Sequence, residues 1–167
     1  MADEGAAPAA ENGDETAKAP PITLTAQYVK DLSFENPDAP QSLGDLTPPP
    51  AINVDIDVEA RQLGNQYYEA MIHVRAAAER DGKTFFVVEV SYGGVCNVSE
   101  SVPETHVRPL VMIEGPRLLF PFVRAVISDA VRDGGFPPLL INPIDFTALF
   151  RQMQAKAAEQ ETPTANA

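Results

Sequence analysis

The strongest constraint on this chain is a run of alternating apolar and polar residues that begins at Ile22. Between Ile22 and Glu35, the even positions are mostly apolar and the odd positions mostly polar. Successive side chains of a β-strand point to opposite faces, so a period of two is typical of a strand with one buried face. The pattern predicts a strand whose apolar face consists of Ile22, Leu24, Ala26, Tyr28, Lys30, Leu32 and Phe34.

The same period recurs in three further segments. A second strand is predicted around residues 52–59 and a third around 67–78. The Asp81-Gly82 pair is typical of a tight turn into a fourth strand. The residues predicted to face inward are Ile52, Val54, Ile56 and Val58, then Tyr68, Ala70, Ile72 and Val74, and finally Phe86, Val88, Val90 and Tyr92.

The segment between the first two strands is too long and too rich in proline for a hairpin. Residues 36–50 contain five prolines and two isolated leucines, Leu43 and Leu46. Proline removes backbone donors and fixes φ, which favours an extended path. We therefore expect a crossover loop that passes over the sheet and is anchored by the two leucines.

The second half of the chain changes to a helical period. A helix is predicted from Gly115-Pro116 to Gly134-Gly135, with apolar residues over most of its circumference, so a subunit interface is expected to cover its second side. A last helix follows Asn142, the predicted cap, and carries Phe146, Leu149, Phe150 and Met153 on one face. The predicted fold is α+β: a four-stranded antiparallel sheet, a long crossover loop after strand 1 and two C-terminal helices packed on one face.

Composition sets the limits of the domain and of its partners. Apart from Met1, residues 1–20 and 154–167 lack large apolar side chains and are predicted to be disordered tails, the first acidic, which leaves one domain at 21–153. With 24 acidic and 12 basic residues, the net charge is -12, which disfavours nucleic acid and anionic membranes as partners. A lone cysteine, no secretory signal and no span of about 20 apolar residues predict a cytoplasmic protein without direct membrane insertion.

Groups that could do chemistry are sparse. His73 is expected to point outward from the third strand, and His106 is expected in a loop; neither has neighbours at metal-ligand spacing. Cys96 has no adjacent base and reads as a small buried apolar residue. No phosphate-binding or nucleophile motif occurs. The sequence predicts a protein that is not an enzyme and uses no cofactor or metal.

Two surface features remain, and each allows two interpretations. Acidic residues at Asp31, Glu35, Glu89 and on the second strand form either a solvated sheet face or a docking surface for a basic segment. Apolar residues in proline- and glycine-bounded loops either cover the edge of the core or line a groove for extended apolar peptide. The latter residues are Leu43, Leu46, Phe136, Leu139, Leu140 and Ile141.

Three stretches together resemble SecB, the family of bacterial protein-export chaperones. They are the KDLSFENP element at residues 30–37, the strand containing Gly93-Gly94 and the segment LLFPFVRAVISDAVRDGGFPPLLINPIDFTALF at residues 118–150. The resemblance covers residues 22–153. It implies a homotetramer, a dimer of dimers joined through the first long helix, that holds unfolded precursor proteins without ATP and delivers them to SecA. A related chaperone dedicated to one client, such as an antitoxin, is the alternative.

The resemblance also implies site residues. Asp31, Glu35 and Glu89 match positions that contact the zinc-bearing C-terminal tail of SecA, so the zinc would belong to the partner. Relatives often carry a tryptophan in the crossover, near the position where this chain has Leu46. The implied peptide-binding groove lies beneath the crossover and beside the last helix, and its candidate residues are Leu43, Leu46, Tyr68, Phe136, Leu140, Phe146, Leu149 and Phe150.

Overall fold

A computed structural model describes residues 20–44 and 46–160. The predicted acidic tail therefore lies outside the described residues, apart from Pro20. The elements in chain order are β1 (Ile22–Glu35), α1 (Gln41–Gly44), β2 (Ala51–Gly64), β3 (Tyr67–Arg80), β4 (Lys83–Val98), α2 (Glu104–Asp133) and α3 (Phe146–Gln160).

The four strands form one antiparallel sheet in the order β1-β4-β3-β2, which confirms the predicted α+β architecture. β1 and β2 are consecutive in the chain but lie at opposite edges of the sheet. Glu35 pairs with Val87, and Ala51 pairs with Glu79, so the crossover runs past the end where β3 turns into β4. The crossover contains the short helix α1 and is extended only in part.

One face of the sheet, called here the inner face, is covered by α2. The even-numbered residues of β3 and β4 point toward it, including the fully buried Ile72 and Val88, as the alternation predicted. A Cβ added to Gly115 of α2 would lie 2.6 Å from the Cβ of Ala70, and a Cβ on Gly94 would lie 2.6 Å from Leu119. The helix backbone thus rests directly on the sheet because both contact points are glycines.

The single apolar face predicted for β1 is wrong in the middle of the strand. The register shifts between Leu24 and Ala26 and again between Val29 and Asp31. Each bulge inserts one residue and exchanges the faces of the residues that follow. Tyr28 therefore pairs with Gly93 and lies on the opposite, outer face. Alternation alone carries no signal for such a bulge.

The helix predicted from Gly115 begins eleven positions earlier, at Glu104, and is 30 residues long. It continues through Pro109, Pro116 and Pro121, so His106 lies in its first turn and not in a loop. Packing explains this extension. Every fourth residue of the helix is buried against the sheet, and this burial offsets the backbone hydrogen bonds that the prolines cannot make. That buried row is Val107, Val111, Gly115, Leu119, Val123, Ile127 and Val131.

The last helix also differs from its predicted ends. The cap is Asp145 and not Asn142, because the Asp145 Oδ1 accepts hydrogen bonds from the backbone N–H groups of Thr147 (2.9 Å) and Ala148 (3.0 Å). α3 continues past Met153 to Gln160, so residues 154–160 are helical and not part of a tail. α3 packs mainly against α2. Among residues 20–44 and 46–160, none of the helices is long and apolar enough to span a bilayer.

Candidate protein-binding surfaces

The outer face of the sheet carries the acidic residues that the sequence placed there. Asp31 pairs with Ser91 and Asp55 pairs with Arg75, which sets both aspartates on this face. A shallow depression of about 340 Å³ brings four carboxylates together, those of Asp31, Asp55, Asp57 and Glu89. Glu35 lies on the same face at the end of β1, opposite Val87. We call this set of five residues the outer acidic face.

The charges of the outer acidic face are not equally available. The Arg75 Nε donates to the Glu89 Oε1 at 3.0 Å, and both side chains are about half exposed. Within the described residues, the Asp31 carboxylate has no hydrogen-bond or salt-bridge partner. A basic partner would therefore meet a fully uncompensated charge at Asp31, but would compete with Arg75 at Glu89.

A polar network that the sequence did not predict lies on the outer face, toward the end of the sheet where β2 turns into β3. The Tyr28 hydroxyl donates to Glu69 Oε1, while Arg61 donates to Glu69 Oε2 from Nε (3.1 Å) and Nη2 (2.9 Å). Glu69 is only 8% exposed. The hydrogen bond from Tyr28 and the pairing with Arg61 hold the pKa of Glu69 below its usual range, although burial acts in the opposite direction. The same hydrogen bond raises the pKa of Tyr28.

His73 and Cys96 lie on opposite faces of the sheet. His73 lies on the outer face, as predicted, and its Nδ1 is 2.9 Å from Ser91 Oγ. Cys96 is buried on the inner face, and burial raises the pKa of its thiol. In the part of the chain that the structure describes, no three His, Cys, Asp or Glu side chains are placed to hold a metal ion.

An apolar cleft opens beneath the crossover, at the end of the sheet where β3 turns into β4. We call it the crossover cleft. Its volume is about 250 Å³, and its lining is largely apolar. The rings of Phe86 and Phe136 lie 4.9 Å apart between centroids, and Phe34 stacks 5.8 Å from Phe86. The lining residues are Leu46, Pro49, Pro50, Ile52, Phe86, Phe136, Pro137, Pro138 and Leu139.

The structure brings only part of the predicted groove together at this cleft. Leu46 and Phe136 line it, and Leu43 lies beside it, since a Cβ on Gly135 would be 3.0 Å from the Leu43 side chain. The sequence did not indicate the four prolines, Ile52 or Phe86 as lining residues. The prolines in both loops could have indicated the cleft from the sequence, because proline presents a rigid apolar surface without a backbone donor.

The remaining groove candidates lie elsewhere. Phe146 is 2% exposed and meets Phe120 edge to face at 5.6 Å, so it is a core residue and not part of an open groove. Leu149 and Phe150 are half-buried on α3, and Leu140 is 72% exposed in the preceding segment. Tyr68 lies near the opposite end of β3, about 33 Å from the residue that pairs with Phe86, at roughly 3.3 Å per residue.

Apolar side chains of α2 outside its buried row are also exposed. Leu118 and Phe122 are one turn apart and are 40% and 45% exposed. Val29 and Leu32 on the edge strand β1 are exposed to a similar degree. Leu118 and Phe122 belong to the second apolar side predicted for the long helix, whereas Val29 and Leu32 add exposed apolar surface on β1.

An apolar cleft beside an acidic sheet face is typical of a protein that binds other polypeptides. A family model described as preprotein translocase subunit SecB matches residues 15–157. The protein-export protein SecB of Nitrobacter winogradskyi is 50% identical over 151 residues, covering 90% of this chain and 94% of the relative. That of Bradyrhizobium diazoefficiens is 52% identical over 138 residues, covering 83% and 85%. The chain therefore belongs to the SecB family of protein-export chaperones, as its motifs predicted.

A solved structure supports the fold. The SecB-like chaperone of Mycobacterium tuberculosis, in complex with a peptide from the HigA1 antitoxin, superposes with a TM-score of 0.63. It covers 74% of this chain and 90% of the other, at 9% sequence identity. The much closer similarity to export proteins disfavours the alternative of a chaperone dedicated to an antitoxin.

Proposed function

We propose that this protein works in the cytoplasm, holds unfolded precursor proteins without using ATP and delivers them to SecA. The observation that carries the proposal is the crossover cleft, an open apolar site with aromatic rings beneath it. Such a site accepts apolar side chains of many sequences because burial needs no specific polar partner.

Binding at one cleft would be weak, which suits a protein that must release its client. Burying a single leucine or phenylalanine side chain contributes about 1.5–3 kcal/mol. Micromolar affinity requires about 8 kcal/mol. A long unfolded chain that occupies several clefts would reach that value through effective concentration. The mechanism therefore favours an assembly of several copies.

That assembly is a homotetramer, built as a dimer of dimers. Leu118 and Phe122 of α2 and the exposed apolar residues of β1 provide surfaces that a second copy would cover. This arrangement leaves the outer acidic face and the crossover cleft free for partners.

Transfer of the client begins when the outer acidic face binds the basic, zinc-bearing C-terminal tail of SecA. Asp31 and Glu35 make the main contact. Glu89 also takes part once its salt bridge with Arg75 is broken. Coulomb attraction from the clustered carboxylates increases the association rate. The zinc stays with SecA, and this chain needs no cofactor.

Substitution in the cleft tests the holding function. Leu46→Asp should abolish suppression of aggregation of a chemically unfolded protein, measured by light scattering, because a carboxylate would be desolvated in the cleft. Leu63→Asp is the matched control, since Leu63 is exposed on β2 outside the cleft. Equal protection by both variants would contradict the proposal.

Charge reversal tests the docking function. Asp31→Lys with Glu35→Lys should weaken binding of the isolated SecA tail at least tenfold by calorimetry and leave protection against aggregation intact. The control is Glu100→Lys with Glu104→Lys, which changes net charge equally at exposed positions elsewhere. If both double variants bind the tail like the parent protein, the docking role of the outer acidic face is wrong.

Native mass spectrometry tests the assembly. Phe122→Glu should convert the tetramer to smaller species, because charge at a buried interface is costly. Leu140→Glu, at an exposed apolar position away from α2, should keep the parent mass. A parent protein that is monomeric at micromolar concentration would refute the tetramer.

A further inference from the structure

The crossover is held to the body of the protein in two different ways along its length. Its first half has internal bonds: Ser42 Oγ donates to Asn36 Oδ1 at 2.7 Å, and the Leu43 backbone N–H donates to the Pro40 carbonyl at 3.1 Å. In the described part of the crossover, the backbone–backbone hydrogen bonds lie within residues 36–43. The second half must therefore be positioned by other contacts.

The second half contains the prolines that form one wall of the crossover cleft. Pro49 and Pro50 line the cleft and follow Pro48 directly. A proline has no backbone N–H, so three prolines in succession can form hydrogen bonds only through their carbonyl oxygens. A donor from another element is needed to fix this wall by hydrogen bonding.

Arg80, the last residue of β3, supplies that donor. Its Nη1 donates to the carbonyl oxygen of Pro48. Its guanidinium also lies over the ring of Phe85, 4.8 Å from the centroid. A planar guanidinium can stack on a ring and donate from its edge at the same time, which a lysine ammonium cannot do equally well.

The backbone of Arg80 is fixed by the hairpin turn between β3 and β4. It pairs with Lys83 across a two-residue turn, in which Asp81 and Gly82 both have positive φ, at 51° and 75°. Turns of this kind match the twist of a hairpin and fix its register. Phe85, on which the guanidinium rests, is buried. The donor is thus part of the sheet, while its acceptor is part of the crossover.

We propose that Arg80 is a positioning residue for client binding, which holds the proline wall of the crossover cleft against the sheet. The proposal rests on the proposed function, because it assigns the cleft to clients. Without this link, the wall is ordered for only a fraction of the time, and the apparent affinity falls by that fraction. We expect about a tenfold loss, mainly as faster dissociation.

The first test measures dissociation of a fluorescein-labelled, extended peptide rich in leucine and phenylalanine. Arg80→Met keeps the aliphatic stem and removes the donor, and it should raise the dissociation rate about tenfold. Arg80→Lys keeps a donor and the charge but cannot stack on Phe85 and donate to Pro48 equally well, so it should recover only part of the affinity. Arg108→Met, at an exposed site on α2, controls for the lost charge and should bind like the parent protein.

The second test needs no client. The chain has no tryptophan, so Leu46→Trp introduces a single emission reporter into the crossover. Adding Arg80→Met should shift the emission to longer wavelength under native conditions, because the released wall admits water. A residue that contributed only to global stability would leave this native emission unchanged.

The outcomes separate the two proposals. If the parent protein binds the peptide and Arg80→Met binds it equally tightly, with unchanged emission, the role of Arg80 is refuted and the chaperone function stands. If the parent protein fails to bind any unfolded chain, the proposed function is refuted. The emission shift then still decides whether Arg80 holds the crossover.

Discussion

The inner face of the sheet is covered by helix α2, whereas no helix among the described residues packs on the outer face. Inside, the contacts are apolar and very close, as at Gly115 and Ala70. Outside, the Tyr28–Glu69–Arg61 network and the Arg75–Glu89 pair satisfy polar groups beside uncompensated carboxylates. The same strands thus give a face fixed by packing and a face that presents carboxylates to water.

The comparison predicts that changes on the inner side affect folding first. Phe146→Asp should unfold the domain or cost more than about 4 kcal/mol, because a carboxylate would be placed in the core beside Phe120. Circular dichroism during thermal unfolding measures this effect. The control is Gln152→Asp, at an exposed position of the same helix. If the Phe146→Asp protein folds normally and loses only client binding, Phe146 is part of the peptide-binding groove and not of the core.

A smaller loss is expected where the helix rests on the sheet. Gly115→Ala should lower the free energy of unfolding by about 1–3 kcal/mol, since its Cβ would approach that of Ala70 to 2.6 Å. Gly44→Ala, with nothing within 4 Å of its Cβ, should cost little. Urea unfolding compares the two. Equal midpoints would show that the helix can shift outward freely.

The polar network of the outer face predicts a dependence on acid pH. The pKa of Glu69 is lowered in the folded state, so its contribution is fully present above the unfolded value of about 4.3 and is lost as pH falls through the folded value. Charged hydrogen bonds contribute roughly 1.5–3 kcal/mol. Glu69→Gln should therefore destabilise the protein at neutral pH and flatten its loss of stability below pH 4. Urea midpoints between pH 3 and 7 measure this, and parallel curves would contradict it.

The smallest effect is expected at the exposed ion pair. Arg75→Met should change stability by less than about 1 kcal/mol, because both partners are half exposed to water. It should, however, tighten binding of the SecA tail about two- to threefold by freeing Glu89. Calorimetry at low and high salt would measure both the gain and its screening. Weaker binding would mean that Arg75 orders Glu89 instead of competing for it.

Much of the fold could be predicted because its determinants are local. The alternation in β3 and β4 gave the inner face correctly, and Asp81-Gly82 marked their turn. The start of α2 could not be predicted, because Pro109 and Pro116 oppose a helix locally and only packing on the sheet outweighs them. The same limit applied to Tyr28, whose face depends on a bulge that pairing with β4 creates.

The residues of the candidate site also fall into those that the sequence placed correctly and those that only the structure placed. The placement of Glu89 followed from strand period alone, as did the apolar character of the loops around Leu46 and Phe136. Asp31 lies on the predicted face because the two bulges of β1 cancel each other. The burial of Phe146 and the role of Arg80 did not follow from the sequence, because each depends on a neighbour far along the chain.

The sequence by itself determined the four strands, the presence of the two long helices, the two-faced sheet and the membership of the SecB family, because periodicity and motifs are properties of neighbouring residues. Only the tertiary structure decided which side chains stay open to water. Burial and ion pairing depend on the contacts between β1 and β4, between α2 and the sheet, and between the crossover and the end of β3. Those contacts join residues far apart in the chain, and no local pattern encodes their distances.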